Sequence, residues 1–523
     1  MCDTGCIAKI TNPIVIYLPI LPKSIVIYET SDKIRQMKYL LPRFRDIFFL
    51  AVLFGALLLG SKMFSIDSDL GRHLTIGGYI LDQHEIPTTD IFSHTKNGES
   101  RPPYEWLAQI LFAFAYRILN LDGVVLLTSL VIASAFTLVY ADSTRRSGLP
   151  VTAILLAILA TAAGSVHWLP RPHVFTFLLL ALWVERLERL WNGEKIPLWQ
   201  FPLIMLFWAN LHGGFLFGIL AWAAYFAGWV IDYWLKRESA TAEVGKKLLI
   251  VGILSLIASC ITPDGWGNWQ AMMGNSSLYI LSQTVETMSP NFRQPGMIPF
   301  LILLILSVLL PIFDRFRVSA SHMFLLAGFA ILSLLMARNI PLFAICAAPI
   351  LAVSARRTLN QLPAWMRIES RLGEIEGSLR GYVWPVAGAL AAIILFSYYH
   401  LQTKSSFNKF DDQVFPVQAV NWLESHPQAG NMFNEFNWGG YLLHRLWPDQ
   451  LVFIDSQTDF YGEALARDYN QIINAQNDWE TKLKKYDIDW VIVADDSPLT
   501  QALETETHWQ ILYQDDTSMI LRK

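Results

Sequence analysis

The sequence predicts an α-helical polytopic membrane protein, with about eleven transmembrane helices and a small C-terminal α/β domain. Three observations lead there. Of 523 residues, 53% are hydrophobic and only 16% are charged, with a mean hydropathy of +0.35; soluble domains carry roughly 25% charged residues. Eleven apolar runs, most of 17–22 residues, suit a roughly 30 Å hydrocarbon core. After residue 403 the composition turns polar and short helical and strand patterns alternate.

In chain order, residues 1–45 form a cytoplasmic N-terminal segment. Charges and prolines interrupt each of its apolar stretches, so no cleavable signal pattern is present. Met37 opens "MKYLLPRFRDIFFLAVLFGALLLG", which reads as an ordinary start for an inner-membrane protein. The membrane domain occupies 46–403, with spans at 46–65, 123–141, 150–168, 172–190, 197–211, 214–235, 247–263, 297–313, 319–337, 340–355 and 381–400. The fifth span is short.

The stretch 102–121, "PPYEWLAQILFAFAYRILNL", is amphipathic, with Trp106, Leu107, Ile110, Leu111, Phe114 and Ile118 on one stripe. If it lies in the interface, the basic clusters Arg145-Arg146, Arg186/Arg189/Lys195, Lys236-Arg237, Arg315/Arg317 and Arg356-Arg357 all fall inside. If it crosses, every one of them is exported, against the positive-inside rule. The first outer loop therefore carries two interfacial helices, near 69–82 and 103–119.

The tail, 404–523, is expected to be extracytoplasmic, with strands at "GNMFNEF", "QLVFID", "DIDWVIVAD" and the closing pair "WQILYQD" and "SMILRK". Gly439-Gly440 read as a tight strand-to-helix entry. The four cysteines at 2, 6, 260 and 346 avoid the tail, so no disulfide framework is expected. A net charge of -4 gives no sign of a nucleic-acid partner.

This topology gathers unusual polar residues on the outer face. They are Asp67, Asp69, His73 and Glu105 in the first loop, His167, Arg171 and His173 in "HWLPRPH", Asn210 and His212 in "NLHGG", Asp264 and Glu286, and Arg338 in "ARNIP". Ionisable groups at membrane depth normally face a cavity and serve a function. Each also has a plain reading. Asp67 or Asp69 could cap a helix, His73 could be a satisfied interfacial histidine, Arg171 could snorkel, and Asn210 and His212 could form a helix-terminus turn. Six coincidences on one face argue for one pocket.

The acidic "DSDLGRHL" after the first span, the opening "PPYEWL" and the outer C-terminal domain resemble the GT-C superfamily of membrane glycosyltransferases. "DSDLGRHLTIGGYILDQHEIPTTDIFSHT", "RPH", "NLHGGFLFG" and "FNWGGYL…VFIDSQTDFYG" resemble a set of bacterial and archaeal members of that superfamily. The resemblance implies a polyprenyl-phosphate sugar donor and an extracytoplasmic glycan, lipid or protein acceptor, in the inner (plasma) membrane. Transfer with inversion needs a carboxylate to take the acceptor's proton and cations to stabilise the departing phosphate.

Asp69 is the expected base, with His73 holding its carboxylate at i, i+4, and Asp67 is the second catalytic candidate. Arg338 and Arg171 are expected at the phosphate. Glu105, His173, Asn210, His212 and Glu286 complete the substrate-binding set. No cofactor is certain. A divalent ion, Mg or Mn, on Asp67, Asp69, Glu286 and a histidine stays open, because oligosaccharyltransferases need a metal and many lipid-phosphate-sugar transferases do not. The rivals are a non-catalytic envelope-polysaccharide assembly protein and a transporter or flippase. The transporter predicts midplane charges and repeated halves, and neither is apparent.

Overall fold

The computed structural model describes residues 38–65, 67–237, 240–274, 279, 285–315, 317–506 and 508–523. The expected start at Met37 and all of the segment before it lie outside the described residues. Each of the eleven apolar runs forms a helix: Phe44–Leu59, the second part of Trp106–Ser147, Pro150–Gly164, His173–Trp191, Gln200–Leu211, Phe215–Trp234, Ala242–Ser259, Ile298–Phe313, Ala320–Leu335, Ile340–Leu359 and Val383–Thr403. Seven of the described helices are long and apolar enough to cross a membrane, by length and composition. Gln200–Leu211 and Ala320–Leu335 are shorter apolar helices. Ile340–Leu359, rich in alanine, is the central one. It packs against Trp106–Ser147, Pro150–Gly164, Ile298–Phe313 and Ala320–Leu335, its small side chains permitting close helix approach.

Trp106–Ser147 is two helices joined at a kink. Leu119 (φ -137°) and Asn120 (φ 52°, ψ -143°) leave helical geometry, and asparagine tolerates positive φ better than most residues. The first part packs along Leu70–Gln83 through Ala108, Phe112 and Ala113, while Phe114 and Ile118 face outward. The amphipathic stripe is therefore divided between protein and surroundings. Just past the kink, the Asp122 carboxylate accepts the backbone N–H groups of Phe407 and Asn408, both at 2.8 Å, which ties the tail to the bundle.

The basic loops gather at one end. There Glu376 accepts the Phe44 N–H at 2.6 Å, Glu369 accepts the Val151 N–H at 2.9 Å, and Arg357 pairs with Asp314 at 2.7 Å. The acidic motif lies at the other end.

The tail folds as a four-stranded sheet in the order β1 (Asn431–Asn434), β2 (Ile488–Ala494), β4 (Ser518–Arg522), β3 (Gln510–Gln514). β1 and β2 run parallel and the other pairs antiparallel. Helices Val417–Ser425, Gly439–Leu446, Thr458–Ile473, Trp479–Lys485 and Pro498–Thr505 surround it. "QLVFID" is not a strand. It pairs only through an isolated bridge from Val452 to Ser93, because the first outer loop lies along it.

The tail shares a core with that loop. Ile76, Ile80 and Phe92 pack with Phe415, Trp438, Tyr441, Leu442 and Trp490. Gly440 has a different reason from a tight entry. A Cβ there would overlap the Ser68 carbonyl, and one at Gly71 would overlap the Gly440 carbonyl. These glycines let Gly439–Leu446 press backbone to backbone onto Leu70–Gln83.

Candidate active site

The site begins where the first helix ends. Asp67 shapes the turn into Leu70–Gln83: its Oδ1 accepts the Asp69 N–H at 2.8 Å, a local side-chain-to-backbone bond of the kind aspartate favours. The same oxygen accepts Arg171 Nε at 2.7 Å. Its Oδ2 is buried without a hydrogen-bond partner among the described residues.

Asp69 is engaged on both oxygens. Oδ1 accepts Arg72 Nη2 at 2.9 Å and the Ser456 hydroxyl, and Oδ2 lies 2.9 Å from Arg171 Nη1. Arg171 Nη1 also lies 3.3 Å from both oxygens of Glu286. Its Nη2 has no protein acceptor among the described residues.

The expected His73–Asp69 hydrogen bond is not formed. The His73 ring turns to the neighbouring helix, with Nδ1 3.5 Å from Gln109 Nε2, and Arg72 reaches back to Asp69 instead. Arg72, one residue earlier on the helix, takes the carboxylate at i, i+3, and His73 is left facing Gln109.

Glu105 ends the first loop. Its carboxylate lies 3.9 Å from His212 Nε2 and makes no hydrogen bond among the described residues. It lines a crevice with Arg72, Tyr104, Gln109 and Gln457. His212 Nδ1 accepts the Gly214 N–H at 3.0 Å and contacts the Thr176 hydroxyl at 2.9 Å, so the ring proton sits on Nε2, toward Glu105.

His173 donates from Nε2 to the His167 carbonyl at 3.0 Å, stacks on the His167 ring at 4.2 Å and lies 6.5 Å from the His212 ring. Asn210 is used up structurally. Its Oδ1 accepts Trp106 Nε1 at 2.8 Å, and its amide donates to the Leu206 and Ile261 carbonyls. It positions Trp106. Arg338 is exposed, with no ion pair or hydrogen bond among the described residues, and its charge acts on His167 and His212. Asp264 is exposed and forms no ion pair among the described residues.

Sequence reasoning missed what the tail contributes. Arg101 pairs with Asp90 at 2.6 Å and Asp455 at 3.0 Å, and bonds Gln457 at 2.7 Å. Gln457 also accepts from Arg72 at 3.3 Å. Ser456 reaches Asp69, and Tyr104 donates to Asp459 at 2.6 Å. The signal was present in "VFIDSQTDF", a polar run directly after a buried apolar one.

Burial sets the acid–base character. It raises the Asp67 carboxyl above its usual range, and Arg171 only partly opposes it. Burial works the same way on Asp69, but Arg171 and Arg72 outweigh it and hold that carboxyl well below normal. Burial pushes Glu105 up to about 7, against a weaker opposing pull from Arg72. The His212 imidazole is pushed down to about 3 by burial and the charge of Arg338, so it is neutral.

No family model matches the sequence, and no curated protein does. Solved structures do. Archaeal oligosaccharyltransferase AglB from Archaeoglobus fulgidus, in complex with an inhibitory peptide and a dolichol-phosphate, superposes with a TM-score of 0.56 at 13% identity. The match covers 85% of this chain and 69% of that one. This chain has the fold of that oligosaccharyltransferase. The same oligosaccharyltransferase tethered to an acceptor peptide containing the NVT sequon gives 0.55 at 14% identity, with the same coverage. Its apo form gives 0.54 at 12% identity, again covering 85% and 69%.

The GT-C resemblance raises the question of a divalent ion. The described carboxylates do not fit one as they stand. No group of three or more His, Cys, Asp or Glu side chains among the described residues is arranged to hold a metal. Asp67, Asp69 and Glu286 converge instead on the Arg171 guanidinium. The guanidinium thus already stands between the carboxylates, where a shared divalent ion would have to sit.

Proposed function

We propose that this chain is an integral-membrane glycosyltransferase that moves a sugar from a polyprenyl-phosphate-linked donor to an extracytoplasmic glycan, lipid or protein acceptor, with inversion. One observation carries the reading. At one end of the bundle Glu105, a carboxylate without hydrogen bonds among the described residues, lies 3.9 Å from His212, which feels the charge of Arg338, and near Arg171, whose Nη2 has no acceptor among the described residues.

The geometry supports a different base from Asp69. Two arginines and a hydroxyl saturate Asp69, so it is a weak proton acceptor. Glu105 lines a narrow crevice, and burial lifts its pKa to about 7, where general bases work best. In this reading the acceptor hydroxyl gives its proton to Glu105 as its oxygen attacks the anomeric carbon. His212 Nε2–H points toward the carboxylate from 3.9 Å, a polar neighbour and not a hydrogen-bond partner. The bond to phosphate breaks on the opposite side of the sugar, and the leaving charge passes to Arg338 and Arg171 Nη2. Asp67 and Asp69 hold Arg171 and Arg72 in place.

The positive-inside rule supports a cytoplasmic N-terminus and an extracytoplasmic 404–523 in the inner membrane, since the basic loops gather at the end opposite the site. The dolichol-phosphate and acceptor peptide of the archaeal neighbours support lipid-linked donors and outer acceptors as a class.

The test is reconstitution of the full chain in proteoliposomes with a polyprenyl-phosphate sugar labelled in the sugar. Label should move to an acceptor with inverted anomeric configuration. Movement of intact lipid or sugar across the bilayer without transfer would make the chain a transporter.

A further inference from the structure

We infer that Arg171 is a built-in cation that takes the place of a divalent metal between Asp67, Asp69 and Glu286, so that the site works without one. The inference rests on the glycosyltransferase reading for its activity arm alone.

Three carboxylates from two separate segments meet one guanidinium. Asp67 Oδ1 lies 2.7 Å from Nε, Asp69 Oδ2 2.9 Å from Nη1, and Glu286 3.3 Å from Nη1. The two aspartate distances are those of charge-assisted contacts, and Glu286 is a longer, weaker partner. The cation is also held in position. Arg171 lies between Pro170 and Pro172, whose rings fix φ, and its N–H bonds the Leu169 carbonyl at 2.8 Å. Its side chain is 15% exposed, so it does not sample solvent as a snorkelling arginine would.

Arg72 neutralises a second charge of the group through Asp69. Removing Arg171 would leave Asp67, Asp69 and Glu286 facing one another with a single remaining counter-charge. The buried Oδ2 of Asp67 already lacks a partner. Carboxylate oxygens in that state are what Mg²⁺ and Mn²⁺ take up. Arg171 therefore does for the carboxylates what a metal would, and keeps Nη2 for an anion. A guanidinium is never deprotonated in this setting, so the charge is permanent and independent of metal supply.

The experiment uses the full chain purified without chelator, with Mn²⁺ as the probe. Wild-type protein should contain no stoichiometric metal by elemental analysis and show no Mn²⁺ binding by calorimetry. Its transfer activity should be unchanged by EDTA. Arg171→Ala should bind one Mn²⁺ per chain and lose transfer roughly 10²–10³-fold, the scale of a lost charge-stabilising donor, with part restored by Mn²⁺. Arg171→Lys, which keeps a cation, should bind none. Thermal unfolding identifies any variant that fails to fold, and the wild-type metal content decides the question without a variant.

Stoichiometric metal in the wild type, or transfer abolished by EDTA, would overturn the inference. So would a folded Arg171→Ala protein that ignores Mn²⁺. If the metal results come out as expected while no lipid-linked sugar is ever transferred, the charge substitution stands and the functional reading falls.

Discussion

The molecule holds two buried charge clusters at opposite ends of its helix bundle, and they differ in what they leave open. At the basic end, Glu188 Oε2 accepts Tyr225 Oη at 2.7 Å and faces His322 Nε2 at 2.7 Å and Arg146 Nη1 at 3.0 Å. Asp142 pairs with Arg145 at 2.7 Å and Arg146 at 2.5 Å. Carboxylate, arginine, histidine and phenol close on one another across four helices. At the acidic end the same residue types leave Glu105, Asp67 Oδ2, Arg171 Nη2 and Arg338 without full partners. The basic cluster ties four helices together by short ion pairs, whereas the acidic cluster borders a crevice that a substrate group could enter. Both clusters hold buried polar atoms without hydrogen bonds among the described residues, Arg146 Nη1 and Nη2 at the basic end and Asp67 Oδ2 and Arg72 Nε at the acidic end, so saturation alone does not separate them; the crevice that Glu105 and Arg72 line does.

The largest expected effect sharpens this contrast through a pair of isosteric changes. Glu105→Gln should cut transfer roughly 10²–10⁴-fold with little change in thermal stability, measured on lipid-linked sugar and by unfolding in detergent. Glu188→Gln should do the opposite. Breaking a buried pair from one side costs about 3–5 kcal/mol of stability, while turnover per folded molecule persists. Full activity in Glu105→Gln would move the base to Asp67.

A second effect comes with pH. Glu105 must be ionised to accept a proton, so transfer should fall by up to about tenfold per pH unit below the pKa of about 7. Stability should run the other way. The folded pKa is raised above the ordinary 4.5, so this group's contribution is full below pH 4.5 and is lost as pH rises through about 7. A pH–rate profile and a melting series in the same buffers test both, and a flat rate profile across that window would remove Glu105 from the step.

The smallest effect concerns the tail. Ser456→Ala removes one hydrogen bond to Asp69 and should cost about 0.5–1.5 kcal/mol, up to roughly tenfold in transfer, with donor affinity falling alongside turnover. Donor affinity unchanged in that variant would show the tail to be a cover and not a wall of the site.

Much of the architecture was legible from the chain. The apolar runs needed only length and hydropathy, and the break near residue 120 showed in the amphipathic stripe that ends before it. Glu105, Arg171 and His212 drew attention in the sequence because charge is conspicuous beside apolar helices, and the structure places them near one another. Asn210 was misread, because a satisfied amide and an open one look alike in sequence. The pairing of Asp69 with His73 failed for a related reason, since helical spacing says which residues could meet and not which partner wins. "QLVFID" has the composition of a strand, yet its edge is taken by a loop more than 300 positions earlier in the chain.

By itself the sequence determined a helical membrane domain, a small α/β tail, and a face rich in carboxylates, histidines and arginines. Periodicity, hydropathy and charge bias are local properties, and they suffice for those. Tertiary structure alone decided which charges are saturated. It set Ser456 and Gln457 against the first loop, pressed Gly440 onto Gly71, turned Arg72 rather than His73 to Asp69, and placed Arg171 among three carboxylates. Saturation depends on angstrom-scale contacts between segments up to 388 residues apart, and no local pattern encodes it.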